Sequence, residues 1–161
     1  MGKAKFIPII VTIIVVIGFL VVVTRPSGNE GQFPPPIFPV PEGTPVRIDA
    51  EALYVDDSGG VIESSRFDPA LVGGVRITMV DEEGDSQSLT TTEGSSTWCE
   101  LLSGHKYTIQ ATFKGSTSST QATVQGYSDH DMPPSGGHIQ VYVRKSSDAI
   151  EGVSYHEPRF L

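Results

Sequence analysis

The residues best suited to chemistry lie together in one stretch of the chain, SDHDMPPSGGH. Asp129, His130, Asp131 and His138 supply the carboxylate and imidazole groups that bind Zn²⁺ or Cu²⁺, and Met132 adds a thioether suited to copper. The spacing of seven residues between the two histidines matches no common ligand pattern, and the prolines and glycines between them leave the loop geometry open. The stretch therefore predicts a polar loop between two strands or, as the alternative, a metal site.

Two further stretches are rich in carboxylates, DDSGG at 56–60 and DEEGD at 81–85. Ca²⁺ requires six to eight oxygen ligands, and neither stretch has the spacing of a calcium-binding loop. Solvated turns are the simpler interpretation, with weak Ca²⁺ binding as the alternative. The chain also lacks the G-x-S-x-G, H-E-x-x-H and phosphate-binding Gly–Lys motifs. We therefore expect no enzyme activity and no cofactor.

The overall charge makes nucleic acid an unlikely partner class. The 161 residues carry a net charge of −8, and the 11 lysines and arginines form no cluster of the kind that phosphate binding requires. Cys99 is the single cysteine, so an intrachain disulfide is impossible. We interpret Cys99 as a small buried hydrophobic residue, with pairing between chains as the alternative.

An uncharged apolar segment of eighteen residues begins at position 6, FIPIIVTIIVVIGFLVVV. As a helix it would be about 27 Å long, close to the thickness of a bilayer's hydrocarbon core. Lipid cannot satisfy open backbone groups, so the segment should be helical despite its many β-branched residues. We expect a transmembrane helix over residues 6–24. Side chains spread along this anchor include Phe6, Ile10, Ile14, Ile17 and Val21.

The charges that flank the predicted helix indicate its orientation. Lys3 and Lys5 precede it and Arg25 alone follows closely, so residues 1–5 should be cytoplasmic and the rest extracellular or periplasmic. A cleaved signal peptide is one alternative, although the following residues contain no A-x-A-like cleavage site. A pilin-like helix is another, although Lys5 stands where such sequences usually have a small residue.

A proline-rich stretch follows, with seven of the chain's twelve prolines in residues 25–45. Proline cannot donate a backbone hydrogen bond and favours extended geometry before it, so a polyproline II-like stalk of at most about 65 Å is expected. One alternative is a ligand for an aromatic groove on another protein. Another is that Phe33, Ile37 and Phe38 pack on the following domain or on a partner.

The chain from position 46 to 145 has the two-residue period of strands. Turn residues recur about every ten positions, which predicts an all-β fold, an antiparallel immunoglobulin-like or transthyretin-like sandwich of about seven strands. Residues 146–161 form a tail that could pack on the sandwich, pair with another copy or stay loose. The predicted strands are 46–54, 75–81, 88–92, 97–102, 105–115, 119–126 and 138–145, with inward residues such as Val46, Ile48, Ala50, Val75, Ile77, Met79, Tyr107, Ile109, Ala111, Phe113, Ile139, Val141 and Val143.

The central part of this region resembles the carboxypeptidase-regulatory-like, or transthyretin-like, sandwich modules. Gly74, Asp81 and Gly84 match the first hairpin of that pattern. After the hairpin the pattern has glycine, aromatic, leucine, glycine and tyrosine residues at fixed spacings, and these positions are occupied by Gly94, Trp98, Leu101, Gly104 and Tyr107. This chain departs from the family pattern at Glu93 and Gly94, because the family often has an Asp-x-x-Gly turn at this place. The resemblance implies a module for spacing, docking or adhesion, and carries over no catalytic residue.

Together these features predict a membrane-anchored extracytoplasmic protein of the cell surface. Its partners would be membrane lipid, through residues 6–24, and another surface or membrane protein, with a structural, docking or adhesive role. It would act alone or as an accessory subunit of a membrane complex. The alternative function is an anchored metal- or ligand-binding module built on residues 129–138.

Overall fold

The computed structural model describes residues 37–65, 68–128 and 133–158, and within them every regular element is a β-strand. The strands form two sheets that enclose one apolar core, so the predicted all-β, sandwich-like fold is confirmed. The ten strands are β1 (Phe38–Pro39), β2 (Pro45–Val55), β3 (Arg76–Asp81), β4 (Ser86–Thr90), β5 (Thr97–Leu102), β6 (Lys106–Phe113), β7 (Ser116–Thr123), β8 (Tyr127–Ser128), β9 (Ser135–Arg144) and β10 (Ala149–His156).

The larger sheet has six strands in the order β1-β8-β9-β2-β5, and β10 pairs with β9. Its central pair, β2 and β9, is parallel, in a register that places Asp49 beside His138 and Val55 beside Arg144. The expectation of a purely antiparallel sandwich was therefore wrong. The two strands come from opposite ends of the domain. A parallel pair requires a long connection, and the chain between β2 and β9 includes all four strands of the smaller sheet.

The smaller sheet is an antiparallel arrangement in the order β4-β3-β6-β7. Strand β6 alternates strictly between buried and exposed residues, because each second side chain of a strand points to the same face. The four inward positions predicted for this strand are all buried, as are those of β3 at Ile77 and Met79.

The core lies between the two sheets and is built from the inward faces of β2, β3, β6 and β9. Its members are almost entirely aliphatic, and Cys99 and Val40 pack against its rim. Several side chains have no accessible surface, among them Ile48, Ala50, Val75, Ile77, Ile109, Ala111, Val124, Ile139, Val141 and Val143. Burial of this kind contributes roughly 25 cal/mol per Å² of apolar surface, which makes the core the main stabilising term.

Three short or terminal strands were not predicted as strands. β10 covers residues 149–156 of the predicted tail and pairs along β9 with a bulge between Ile150 and Gly152, so this part packs on the domain. β1 lies within the predicted stalk and pairs with β8. Proline at a sheet edge is tolerated because its missing N–H faces away from the ladder.

The last residues of the predicted stalk are tied to the sheets by backbone hydrogen bonds. The amide of Val40 donates to the carbonyl of Gly126 at 2.9 Å, and that of Gly43 donates to Ser103 at 2.8 Å. No helix among the described residues is long and apolar enough to cross a bilayer. The predicted anchor at 6–24 and residues 25–36 of the predicted stalk lie outside the described part of the chain.

The second residue of strand β9, Gly136, leaves room for side chains of the neighbouring strand β2. A Cβ atom on Gly136 would lie 2.5 Å from Cδ1 of Ile48 and 2.6 Å from Cγ2 of Val46. Gly136→Ala should therefore lower the free energy of unfolding by about 1–3 kcal/mol through overpacking. Urea unfolding of the full-length protein in detergent micelles, followed by circular dichroism, measures this change.

Gly152 on the neighbouring strand β10 provides a matched control, because a Cβ there would meet nothing within 4 Å. Gly152→Ala should change the unfolding free energy by no more than about 0.5 kcal/mol. Equal effects of the two substitutions would contradict the close approach of β9 to β2 at this point.

Candidate functional site

The four predicted metal ligands are only partly covered by the structure. Asp129, His130 and Asp131 lie outside the described residues, whereas His138 is on β9. Among the described residues, no group of three or more histidine, cysteine, aspartate or glutamate side chains is placed to hold a metal ion. The metal site therefore stays a prediction, and the position of His138 has to be understood from its neighbours in the sheet.

His138 belongs to a row of side chains that crosses four strands of the larger sheet. The register pairs Trp98 on β5 with Asp49 on β2, Asp49 with His138 on β9, and His138 with His156 on β10. The two imidazole rings are stacked, with centroids 4.9 Å apart and planes inclined by 23°. The hydroxyl of Ser154 lies 2.9 Å from Nε2 of His156. This row lies on the outer face, because the residues between its members on β2 and β9 are core residues.

Trp98 is the most exposed large apolar residue in the described part of the chain, with 56% of its surface accessible. The guanidinium carbon of Arg47 lies 5.3 Å from the centroid of the indole ring, a cation–π distance. The Nε and Nη2 atoms of Arg47 both donate to Oδ1 of Asp49, at 3.0 and 2.7 Å. Arg47 thus links the indole ring to the carboxylate beside it and limits the motion of both.

A second row lies next to the first on the same face and consists of hydrogen-bonded polar side chains. Nε2 of Gln140 donates to Oε1 of Glu51 at 2.8 Å, and the hydroxyl of Tyr142 donates to Oε1 of Gln140 at 2.9 Å. These bonds fix the orientation of the Gln140 amide and the position of the Glu51 carboxylate. The second row therefore presents hydrogen-bonding groups that are already ordered.

A cleft of about 350 Å³ opens between the two rows, lined by Asp49, Ala50, Glu51, Ser96 and His138. Its volume lies near the lower end of the range for small-ligand sites, about 300–1,000 Å³. We use the name Trp98 face for the cleft and its rim, defined as Arg47, Asp49, Glu51, Ser96, Trp98, His138 and Gln140.

Carboxylates outnumber fixed cations on and beside this face. Among the described residues here, Asp49, Glu51 and the neighbouring Glu100 are acidic, and Arg47 is the one fixed cation. Cys99 lies between Trp98 and Glu100 on β5, close to these charges. Burial, and after it the charges of Asp49 and Glu100, raise the pKa of the Cys99 thiol to about 11. An anionic ligand would meet this negative potential.

The residues that carried the family resemblance occupy mostly structural positions. Gly94 and Gly104 have φ angles of +74° and +83°, which favour glycine, and Leu101 is buried. The backbone amide of Leu102 donates to the hydroxyl of Tyr107 at 3.0 Å, and burial raises the pKa of this tyrosine. Trp98 differs from the others because it points away from the core.

Sequence reasoning did not identify Trp98 as a surface residue, although the signal was present. Successive side chains of a strand point to opposite faces. If Cys99 and Leu101 point into the core, Trp98 and Glu100 must point outward. A tryptophan at an outward strand position is the feature that would have revealed the face. The neighbourhood of His138 and His156 had no local signal, because the two residues meet only through the pairing of β9 with β10.

The two acidic turns use their carboxylates to close the chain on itself. Oδ1 of Asp56 accepts a hydrogen bond from the Ser58 hydroxyl at 2.6 Å and from the amides of Gly60 and Ser58, both at 2.8 Å, and these bonds lower the pKa of Asp56. Oδ1 of Asp81 accepts from the amides of Glu83 and Asp85. Turn formation accounts for these aspartates without a bound ion.

No protein-family model, no curated protein and no solved structure matches this chain.

The raised pKa of Cys99 leads to a test of the negative potential on β5. The thiolate is the reactive form, and its nucleophilicity rises with its pKa, so at pH 8 Cys99 should react with a disulfide reagent about 10–30-fold more slowly than a thiol of ordinary pKa near 8.5. Measuring the rate against pH on the full-length protein should show it still rising above pH 9.

Glu100→Gln removes one of the charges that raise this pKa and should increase the rate at pH 8. Glu82→Gln, the same chemical change in the turn between β3 and β4, serves as the control and should leave the rate unchanged. A rate at pH 8 equal to that of free cysteine would contradict the environment described for Cys99.

Proposed function

We propose that this protein is a membrane-anchored docking or adhesion module of the cell surface, and that the Trp98 face is its contact surface. The observation that carries the proposal is the exposure of 56% of Trp98 on β5, the last strand of the larger sheet, beside a cleft with hydrogen-bonded polar groups. Tryptophan is among the residues that most often dominate binding energy when they become buried at an interface.

The amino-terminal sequence supports the membrane-anchored part of the proposal. The uncharged segment 6–24 is long enough to span a bilayer, and the proline-rich residues that follow would raise the sheets above it. The lysines before the segment favour a cytoplasmic amino terminus, which leaves the sandwich outside. In this arrangement the module would face other components of the envelope, whether as an independent protein or as a subunit of a membrane complex.

The resemblance to carboxypeptidase-regulatory-like modules is part of the same proposal. Its support is the placement of Gly94 and Gly104 at left-handed turn positions and the burial of Leu101 and Tyr107. Such modules serve spacing, docking or adhesion, and the proposal accordingly assigns no reaction and no catalytic residue to this chain.

The proposal predicts that Trp98 is required for assembly in the membrane. Trp98→Ala should weaken binding to the envelope partner by at least about thirtyfold, the effect of removing a residue that dominates an interface. Native gel electrophoresis of mildly solubilised membranes, with detection of this chain, would show a loss of the higher-mass species.

Phe38→Ala provides a control, since Phe38 is an aromatic residue 47% exposed on β1, at the opposite end of the same sheet. This variant should assemble as the unchanged chain does. Assembly that survives Trp98→Ala, in protein that retains its β-sheet circular dichroism, would overturn the assignment of the contact surface.

A further inference from the structure

At the centre of the Trp98 face a ligand is recognised by side chains alone. Asp49 lies on a strand that is paired on both edges, with Trp98 of β5 on one side and His138 of β9 on the other. Among the described strands, β5 pairs only with β2, so its outer edge is open to an extended peptide. A strand added there would lie beyond β5 and would not fill the cleft between Asp49 and His138.

The charges of the face argue against an anionic ligand and against a cation bound between Trp98 and Asp49. A cation would have to compete with Arg47, which already lies over the indole ring and donates two hydrogen bonds to Asp49. An anion would approach Glu51 and Glu100, and like charges in a partly desolvated site are strongly unfavourable. A neutral ligand avoids both costs.

The hydrogen-bonding groups of the cleft suit a ligand with several hydroxyl groups. Carboxylate oxygens of Asp49 and Glu51 accept hydrogen bonds, whereas Ser96 can both donate and accept, and so can the imidazole of His138. A hydroxyl group also does both, so it can pair with each of these side chains. The ordered bonds from Gln140 and Tyr142 mean that little rotamer freedom is lost when a ligand binds.

The exposed indole ring adds an apolar, planar surface next to these polar groups. A pyranose ring has one face lined by C–H groups and an edge lined by hydroxyls, so it can lie on the indole surface that Arg47 leaves accessible while its hydroxyls reach the cleft. Dispersion contacts with the ring and hydrogen bonds with the cleft are then made together. The cleft of about 350 Å³ is of a size for one or two sugar rings.

We infer that the Trp98 face binds a neutral saccharide, with a ring stacked on Trp98 and its hydroxyls bound by Asp49, Glu51, Ser96 and His138. The inference rests on the proposed function and specifies its partner as a glycan carried by a neighbouring surface protein. It makes Trp98 and Glu51 the residues on which affinity depends most, because one supplies the stacking surface and the other a charged acceptor.

The single tryptophan of the chain makes a direct test feasible, since all indole fluorescence comes from Trp98. The full-length protein, in a detergent without sugar headgroups, is titrated with hexasaccharides of glucose, mannose and N-acetylglucosamine up to millimolar concentrations. We expect a saturable change in emission with at least one of them. Hexalysine and inorganic phosphate, tested in the same way, should produce none.

Glu51→Gln keeps the shape of the side chain and removes its charge, and it should weaken saccharide binding about tenfold or more. Glu82→Gln, outside the face, should leave the affinity unchanged. Trp98→Ala, measured by calorimetry with the same saccharide, should abolish binding, whereas Phe38→Ala should not.

Three results would overturn the inference. They are no response to any of the saccharides, a response that Glu51→Gln leaves unchanged, and a response to hexalysine or phosphate in place of the saccharides.

Treatment of membranes with periodate, which cleaves the vicinal diols of glycans, separates this inference from the proposed function. Loss of assembly after periodate supports the glycan. Assembly that resists periodate but is lost in Trp98→Ala would overturn the glycan and leave the docking role in place. Assembly that resists both would remove the docking role itself.

Discussion

The parallel pairing of β2 with β9 is the constraint on which the rest of the structure depends. Its inward residues, such as Ile48 and Val141, lie at the centre of the core, and its outward residues, such as Asp49 and His138, form the middle of the Trp98 face. The same register therefore determines both stability and the position of the side chains that we propose for binding. A slip of one residue would turn every side chain of a strand to the opposite face, so the core holds the site in place.

The polar side chains of the Trp98 face are held by hydrogen bonds and are still accessible to solvent, whereas accessible polar side chains are often mobile. Arg47 is held between the Trp98 ring and the Asp49 carboxylate, and Gln140 is held between Glu51 and Tyr142. An exposed ion pair of this kind contributes little to stability, about 0–1 kcal/mol. Its value lies in fixing the geometry and in offsetting the charge of Asp49, while the remaining carboxylates are hydrogen-bond acceptors for an uncharged partner.

Much of the fold could be predicted from the two-residue period of the sequence, as the alternating burial of β6 shows. What the period could not reveal was pairing between distant strands, because a strand's sequence indicates which face is buried but not which strand lies beside it. The parallel β2–β9 pair, the attachment of β10 and the contact between His138 and His156 all depend on such pairing. Trp98 was placed on the correct strand, and its outward direction could have been read from its neighbours.

The central claim is that this protein meets its partner through the Trp98 face. The most direct measurement places a photo-crosslinking amino acid at position 96, on the rim of the cleft, or at position 110, an exposed site on the outer face of the smaller sheet. After irradiation of intact membranes, we predict a defined crosslinked product from position 96 and none from position 110. A product from position 110 alone would contradict the account and move the contact surface to the smaller sheet.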